Sequence, residues 1–441
     1  MTIQQSLLGS SQSLNFFSAG FSSGVDQSSI TSCVAQDNAG NIYYVNFRSS
    51  SFALLYKFDS TGQYVWAIQI TGTSNIVQNR IQIAFDSLNN VYFIGPAASG
   101  SIDLYKFNSS GTFQWGTRYS ATSVSQGAIT IDSSDNIYVT ACPQSTTSSG
   151  TVFILKYNTS GTLIWQRSLQ SVGSPNTNNQ SSAQAIKTDS SGNVYVTGFT
   201  QDKNPSASFN GYDAFIAKYD SSGTFQWVKV FGTTSTSFDV VGGGFTIDSS
   251  NNIYVSAREL PVPTSTGNQY LVSFDTSGNI QSQYKFVSSA GSTLNGVAAN
   301  ISIGSNGLIY YPARNGVFAV STGGVVSWVN SFTIFGGGVS FTFATNSTVP
   351  NSFLVALRLG MSDYPAAIGK LNINGAGVGT YSLGSSSINY ISGLDGGTIT
   401  SSAGTYSILT SYFTASTPSN STSSVSATVS SFSGASSTVY I

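Results

Sequence analysis

Residues 211–232 read GYDAFIAKYDSSGTFQWVKVFG: two apolar runs around a polar turn, Asp220-Ser221-Ser222-Gly223, with Trp227 four residues past the glycine. The same figure recurs at residues 57–66 (KFDSTGQYVW), 106–115 (KFNSSGTFQW) and 156–165 (KYNTSGTLIW). Degraded copies stand at residues 273–282 (SFDTSGNIQS), 319–328 (AVSTGGVVSW) and 370–379 (KLNINGAGVG). All five tryptophans of the chain, Trp66, Trp115, Trp165, Trp227 and Trp328, occupy this one slot. Gly62, Gly111, Gly161, Gly223 and Gly278 hold the turn position before it. The chain is therefore built from an internal repeat.

A second motif alternates with the first: DNAGNIY at 37–43, DSLNNVY at 86–92, DSSDNIY at 132–138, DSSGNVY at 189–195 and DSSNNIY at 248–254. A weakened copy, GSNGLIY, spans 304–310. An Asp or Asn at the first place of such a turn accepts backbone N–H groups and closes an Asx-turn. A Gly or Asn near its end takes the positive φ that a short hairpin needs. Asp-x-x-Gly-Asn lacks the alternating carboxylates and terminal bidentate acid of a calcium loop, so no metal is expected.

The runs between turns are rich in Val, Ile, Phe, Tyr and Thr, as half-buried strands require. None shows a sustained helical period. Each unit reads as four short strands, and the spacing of units, roughly 45–60 residues, belongs to propeller blades. The expected fold is all-β: a single β-propeller of four-stranded antiparallel blades, eight in number, with seven as the alternative. Residues 1–29 are expected to form an arm and closing strand. Blades are expected at about 30–70, 80–120, 126–170, 182–232, 240–287, 295–332, 338–382 and 390–441. Residues 13–25 (SLNFFSAGFSSGV) resemble a fourth strand, so this N-terminal strand is expected to pair with the last blade and remove an open edge. On the fourth strand, alternation puts Phe225 and Trp227 on one face, as an aromatic stripe between blades.

The pattern DAFIAKYDSSGTFQW, together with DSSGNVYVTGFT, is similar to the bacterial β-propeller repeat known as the SBBP repeat. The resemblance runs from about residue 30 to 285 and fades afterwards. It implies a propeller of extracytoplasmic or surface proteins, with no shared catalytic residues to carry over.

Composition bounds the function. Charged residues make up 7 % of the 441, against about 25 % in an average soluble protein. Ser, Thr, Asn, Gln and 45 glycines fill the gap, while 13 % aromatic content argues for a folded chain. A net charge of −1 without like-charge blocks gives no basic surface for nucleic acid. No apolar run is long enough for a membrane span, and residues 1–17 lack the basic start and apolar run of a secretory signal. Cys33 and Cys142 fall at non-equivalent places and are expected as thiols, without metal spacing. There is no histidine, and Glu259 is the sole glutamate. A His-dependent triad and a Glu/Glu pair are excluded.

The turn is similar to the Asp-box of sialidase-like propellers, with different spacing, and to the tryptophan-docking repeat of eight-bladed quinoproteins, without their adjacent cysteines. Asp/Asp glycosidase or lyase chemistry stays open, although turns use most aspartates. The expectation is a non-enzymatic structural or interaction protein without cofactor. Its expected setting is a virion, as a phage tail, fibre or capsid appendage in a multi-copy assembly that contacts a host glycan or protein. The alternative is an extracellular or bacterial-surface adhesion module. Length variation falls at 171–182, 199–211, 258–268 and 413–424, and loops on a rigid scaffold carry function. The candidate binding residues are therefore Gln201, Asp202, Lys203, Asn204, Arg258 and Glu259.

Overall fold

A computed structural model describes residues 15–21, 33–49, 52–71, 82–97, 101–121, 124–143, 150–171, 181–200, 212–232, 238–261, 268–288, 301–313, 316–334, 339–344, 352–359, 366–372, 379–383, 386–392, 399–403, 407–409, 413–416, 422–424, 428–431 and 435–440. The described elements are all strands and turns. Six consecutive stretches each fold into a four-stranded antiparallel meander. Blade 1 comprises Cys33–Gln36, Ile42–Ser49, Phe52–Phe58 and Tyr64–Thr71. Blade 2 comprises Gln82–Phe85, Val91–Ala97, Ser101–Phe107 and Phe113–Ser120. Blade 3 comprises Val124–Ile131, Ile137–Pro143, Thr151–Tyr157 and Leu163–Ser171. Blade 4 comprises Ser181–Thr188, Val194–Thr200, Asp213–Tyr219 and Phe225–Gly232. Blade 5 comprises Phe238–Ile247, Ile253–Pro261, Gln269–Phe274 and Ile280–Ser288. Blade 6 comprises Ser302–Ile303, Ile309–Ala313, Gly316–Val320 and Val326–Ile334.

The expected count of eight blades, or seven, is corrected to six blades of this kind. A further sheet of different make completes the ring. Val339–Ala344, Ser352–Leu359 and Ala366–Asn372 supply three of its strands, and the N-terminal Asn15–Phe21 supplies the fourth. Asn15 pairs with Lys370 and Phe17 with Ile368. This composite sheet lies against the first strand of blade 1 on one side and against blade 6 on the other. The ends of the chain thus close the ring, as the likeness of residues 13–25 to a fourth strand implies.

Residues 390–441 do not form an eighth blade. Ser386–Ser392, Ile399–Ala403, Ser407–Leu409, Phe413–Ser416, Thr422–Ser424, Thr428–Ser431 and Ala435–Tyr440 are separate strands, one for each sheet. They pair antiparallel with the fourth strands of blades 6, 5, 4, 3, 2 and 1, in that order, and finally with Asn15–Phe21. The C-terminal segment is a belt laid around the rim against the blade order. Outside its first strand, Gly379–Leu383 adds one more at blade 6. The fourth strands are therefore interior. A bare fourth strand would present a row of unpaired N–H and C=O groups, and the belt satisfies them. Of the expected loop at 413–424, Phe413–Ser416 and Thr422–Ser424 are strands of this belt.

Apolar layers lie between neighbouring blades. One joins Val152, Ile154, Trp165 and Leu169 of blade 3 to Val194, Val196, Phe215 and Tyr219 of blade 4. The next joins Tyr195, Ile216, Phe231 and Trp227 of blade 4 to Phe245, Val255, Tyr270 and Phe274 of blade 5. A fully buried side chain of this size contributes about 1.5–3 kcal/mol, so the stability of the ring lies mainly in these seams. Small residues at the first strands fit the crowded middle: a Cβ on Gly242 would run into the carbonyl of Gly198.

Candidate functional site

The two faces of the ring differ in how their connections are made. Every first-to-second and third-to-fourth turn of blades 1–6 is five residues long, for example 189–193 and 220–224. The second-to-third connections range from two residues in blades 1 and 6 to twelve in blade 4. One face is uniform and the other is varied.

The uniform face is held by a repeated set of contacts. Asp189 Oδ1 accepts the N–H groups of Ser191 and Asn193, both at 2.9 Å, while Oδ2 accepts Asn193 Nδ2 at 2.8 Å and the Tyr195 hydroxyl at 3.1 Å. Asp86, Asp132 and Asp248 are bound in the same way. Four donors occupy each carboxylate, which accounts for these aspartates structurally. Burial, and then the Asp189 charge, push the Tyr195 hydroxyl well above its usual range, so it acts only as a donor. Three left-handed non-glycine residues stitch neighbouring turns. Asn89 (φ 60°) accepts the Asn38 N–H at 3.0 Å, Asp135 (φ 62°) accepts the Ser87 hydroxyl at 2.7 Å, and Asn251 (φ 64°) accepts the Ser190 hydroxyl at 3.1 Å. Asn and Asp are the residues that tolerate this conformation best after glycine.

The tryptophans dock across the seams. The Trp115, Trp165 and Trp227 indole N–H groups donate to the carbonyls of Thr159, Ser221 and Thr276 in the next blade, at 3.1, 3.4 and 3.2 Å. Lys106, Lys156 and Lys218 donate to the same three carbonyls at 3.2, 3.2 and 3.0 Å, and lie over Tyr92, Tyr138 and Tyr195 of their own blades. Trp66 sits in the same slot without an acceptor for its N–H; there Lys57 alone takes the Ser109 carbonyl, at 2.9 Å. Trp328 packs on Tyr310. The rings rest on the positive-φ glycines of the neighbouring turns: Gly111 under Trp66, Gly161 under Trp115, Gly223 under Trp165 and Gly278 under Trp227. Gly62, at φ 88°, holds the corresponding turn of blade 1.

The expected one-sided aromatic stripe is corrected. Lys218 faces Trp227 and Tyr219 faces Phe225, with a register shift between them. This β-bulge removes one residue from the alternation, and Phe225 and Trp227 point to opposite seams. Phe225 packs on Tyr219 and Trp227 on Tyr195. The same shift occurs in all six blades.

In the third-to-fourth turn, the Ser222 hydroxyl and the N–H groups of Thr224 and Ser222 hold the Asp220 carboxyl below its ordinary range. Asn108 and Asn158 fill the same place in blades 2 and 3, so Asp220→Asn should fold. Because the folded-state pKa is depressed, the extra stability from Asp220 is present above the unfolded value of about 3.9 and is lost as pH falls through the folded value. Urea midpoints of wild type and Asp220→Asn should differ at neutral pH and converge below about pH 4. A gap that does not change with pH would show that the charge is irrelevant.

Of the residues expected on the varied face, Gln201, Asp202, Lys203 and Asn204 lie outside the described residues. Arg258 and Glu259 sit on the second strand of blade 5, beside its connection to the third. Burial lowers the pKa of Arg258. Glu259 does not point at a ligand: it is buried, and its Oε2 accepts Asn268 Nδ2 at 2.8 Å and the Tyr270 hydroxyl at 3.2 Å, with Lys285 Nζ at 3.4 Å. A related cluster in blade 2 was not foreseen from the sequence. There Arg118 binds fully buried Asp103 through Nε at 2.7 Å and Nη2 at 2.8 Å, and Tyr105 donates to Asp103 at 2.8 Å. Among the described residues, no group of three or more His, Cys, Asp or Glu converges on a metal-sized point. Cys142 is buried, Cys33 is half-buried, and no disulfide joins them. Burial pushes the Cys33 thiol up to about 11.

No family model matches the chain, and no curated relative is found. Among solved structures, it is similar to an ulvan lyase bound to a GlcA–Rha3S saccharide, at 10 % identity and TM-score 0.50, over 80 % of this chain and 93 % of that one. An α-L-arabinofuranosidase from Fusarium graminearum aligns over 66 % of this chain and 92 % of its own, at 11 % identity and TM-score 0.46. A protein of unknown function from Dyadobacter fermentans aligns over 85 % and 95 %, at 10 % identity and TM-score 0.40. Of these three, only the lyase reaches a score at which the likeness carries weight, and it shows the fold alone. It also corrects the expectation of a non-enzymatic protein: the same β-propeller scaffold serves an enzyme, so fold and repeat give no ground for excluding catalysis.

Proposed function

We propose that this β-propeller engages a polysaccharide on its varied face, around the connections of blades 3, 4 and 5. The observation that carries this reading is the contrast between five-residue turns on one face and connections of two to twelve residues on the other. A scaffold whose turns are fixed by packing leaves length free only where something other than packing selects it. A chain rich in hydroxyl and amide side chains and poor in charge suits a neutral or weakly acidic glycan. The likeness in fold to an ulvan lyase is consistent with a polysaccharide as ligand.

The full chain should bind within a panel of immobilised polysaccharides, with released oligosaccharides measured in the same wells to score cleavage. Shortening the blade 4 connection to the two-residue length of blade 6 should abolish the signal and leave the unfolding midpoint unchanged. Silence of the intact chain across the panel, or full binding by the shortened one, overturns the reading. A second reading is favoured by the belt, which leaves no fourth strand of the ring bare. It is a display scaffold outside the cytoplasm, either in a phage virion or on a bacterial surface, in many copies beside other such proteins. Neighbouring tail or capsid genes support the virion, and secretion genes the surface.

A further inference from the structure

The geometry points to a covalent modification site in blade 5, and we propose that Lys285 and Asn268 form an intramolecular isopeptide bond with Glu259 as proton carrier. Asn268 lies opposite Glu259, whose backbone N–H donates to its carbonyl at 2.9 Å. Lys285 lies opposite Tyr270, two residues along from Asn268. Asn268, the residue just before the third strand, is thus a diagonal neighbour of Lys285 on the fourth, within reach of a long side chain. Both meet the same atom: Glu259 Oε2 is 2.8 Å from Asn268 Nδ2 and 3.4 Å from Lys285 Nζ. The carboxylate is buried, and the Tyr270 hydroxyl fixes it at 3.2 Å. This is the one glutamate of the chain.

A lysine, an amide and a shared buried carboxylate are the parts that amide exchange needs. Glu259 takes a proton from the Lys285 ammonium, and the freed Nζ lone pair attacks Asn268 Cγ. The Nζ–Cγ bond forms, the Cγ–Nδ2 bond breaks, and Glu259 returns its proton to the departing nitrogen. Ammonia leaves, and the second proton that Nζ sheds on becoming an amide converts it to ammonium, so atoms and charge balance and no oxidant is required. Blade 2 shows the inert counterpart. Arg118 occupies the strand position of Lys285, three residues past the tryptophan slot, and grips Asp103 with both nitrogens. A guanidinium is a poor nucleophile because it stays protonated, and the contacts of Asp103 and Arg118 to each other and to Tyr105 include no carboxamide.

Mass spectrometry of the full chain tests this. The segment holding residues 259–285 should be lighter than its sequence by about 17 Da, the mass of ammonia, and resist trypsin at Lys285. Lys285→Arg and Glu259→Gln should restore the sequence mass. Asn268→Asp should lose about 18 Da instead, as water leaves in place of ammonia. A wild-type segment at its full sequence mass overturns the proposal. So does an ammonia deficit that survives in Lys285→Arg, which would mark a succinimide elsewhere.

Discussion

Replacing Gly223 with alanine is expected to lower the stability of the ring by about 2–5 kcal/mol, read as a shift in urea midpoint. Two terms add. A non-glycine residue at φ +81° is left-handed, which costs roughly 1–2 kcal/mol. A Cβ there would stand 2.9 Å from the Trp165 ring, and overpacking of this kind costs about 1–3 kcal/mol. Trp165→Ala alone should cost about 3–5 kcal/mol, since it empties the seam between blades 3 and 4. The two changes share one contact, so they should not add. In a Trp165→Ala background, Gly223→Ala should cost only the backbone term. Gly307 supplies the control: its φ is +75°, and a Cβ there meets nothing within 4 Å. Gly307→Ala should match the reduced value. Equal costs of Gly223→Ala with and without the indole would show that Trp165 does not press on this turn.

The second large effect concerns the belt. A chain ending at Leu383 loses the outer partner of all seven sheets at once. It is expected to form large oligomers by edge pairing, seen by light scattering, and to lose its single unfolding transition. A single change within the belt should do far less. Ile408 pairs with Phe231 in a strand of only three residues, and Ile408→Pro removes that pairing while its neighbours stay tethered on both sides. The tethers keep each short strand at high effective concentration over its blade. Loss of the whole belt therefore breaks a multivalent attachment, whereas loss of one strand thins it. A truncated ring that stayed monomeric and melted like the full chain would make the belt ornamental.

How far the sequence was legible follows from the range of each interaction. The turns and the tryptophan slot were readable because each repeats at fixed spacing and acts within one blade or its neighbour. The bulge at Gln226 was not readable. Counting by two from Gly223 puts Phe225 and Trp227 together, and only the pairing of Tyr219 and Lys218 across the hairpin shows that they part. The belt was illegible for a different reason. Its strands carry no period of their own, and Thr428–Ser431 finds Ile68–Thr71 only through a ring that other residues have already built. The blade count fails with it, since residues 390–441 have the length of one more repeat but none of its motifs. At the candidate site, the varied connection at 258–268 points to Glu259, but its partners Asn268, Tyr270 and Lys285 lie beyond the second strand that carries it. Burial turned it from a surface acid into the centre of a cluster.

The direction of the belt sets a timetable for synthesis. Blade 6 is followed by its cover after about 50 residues, whereas blade 1 ends at Thr71 and waits until Thr428 is made. That is about 360 residues, or roughly 20–70 s at ordinary ribosomal rates. The blades made first therefore keep a bare edge for longest. The ring reaches its finished state only when Tyr440 meets Phe16, made long before it.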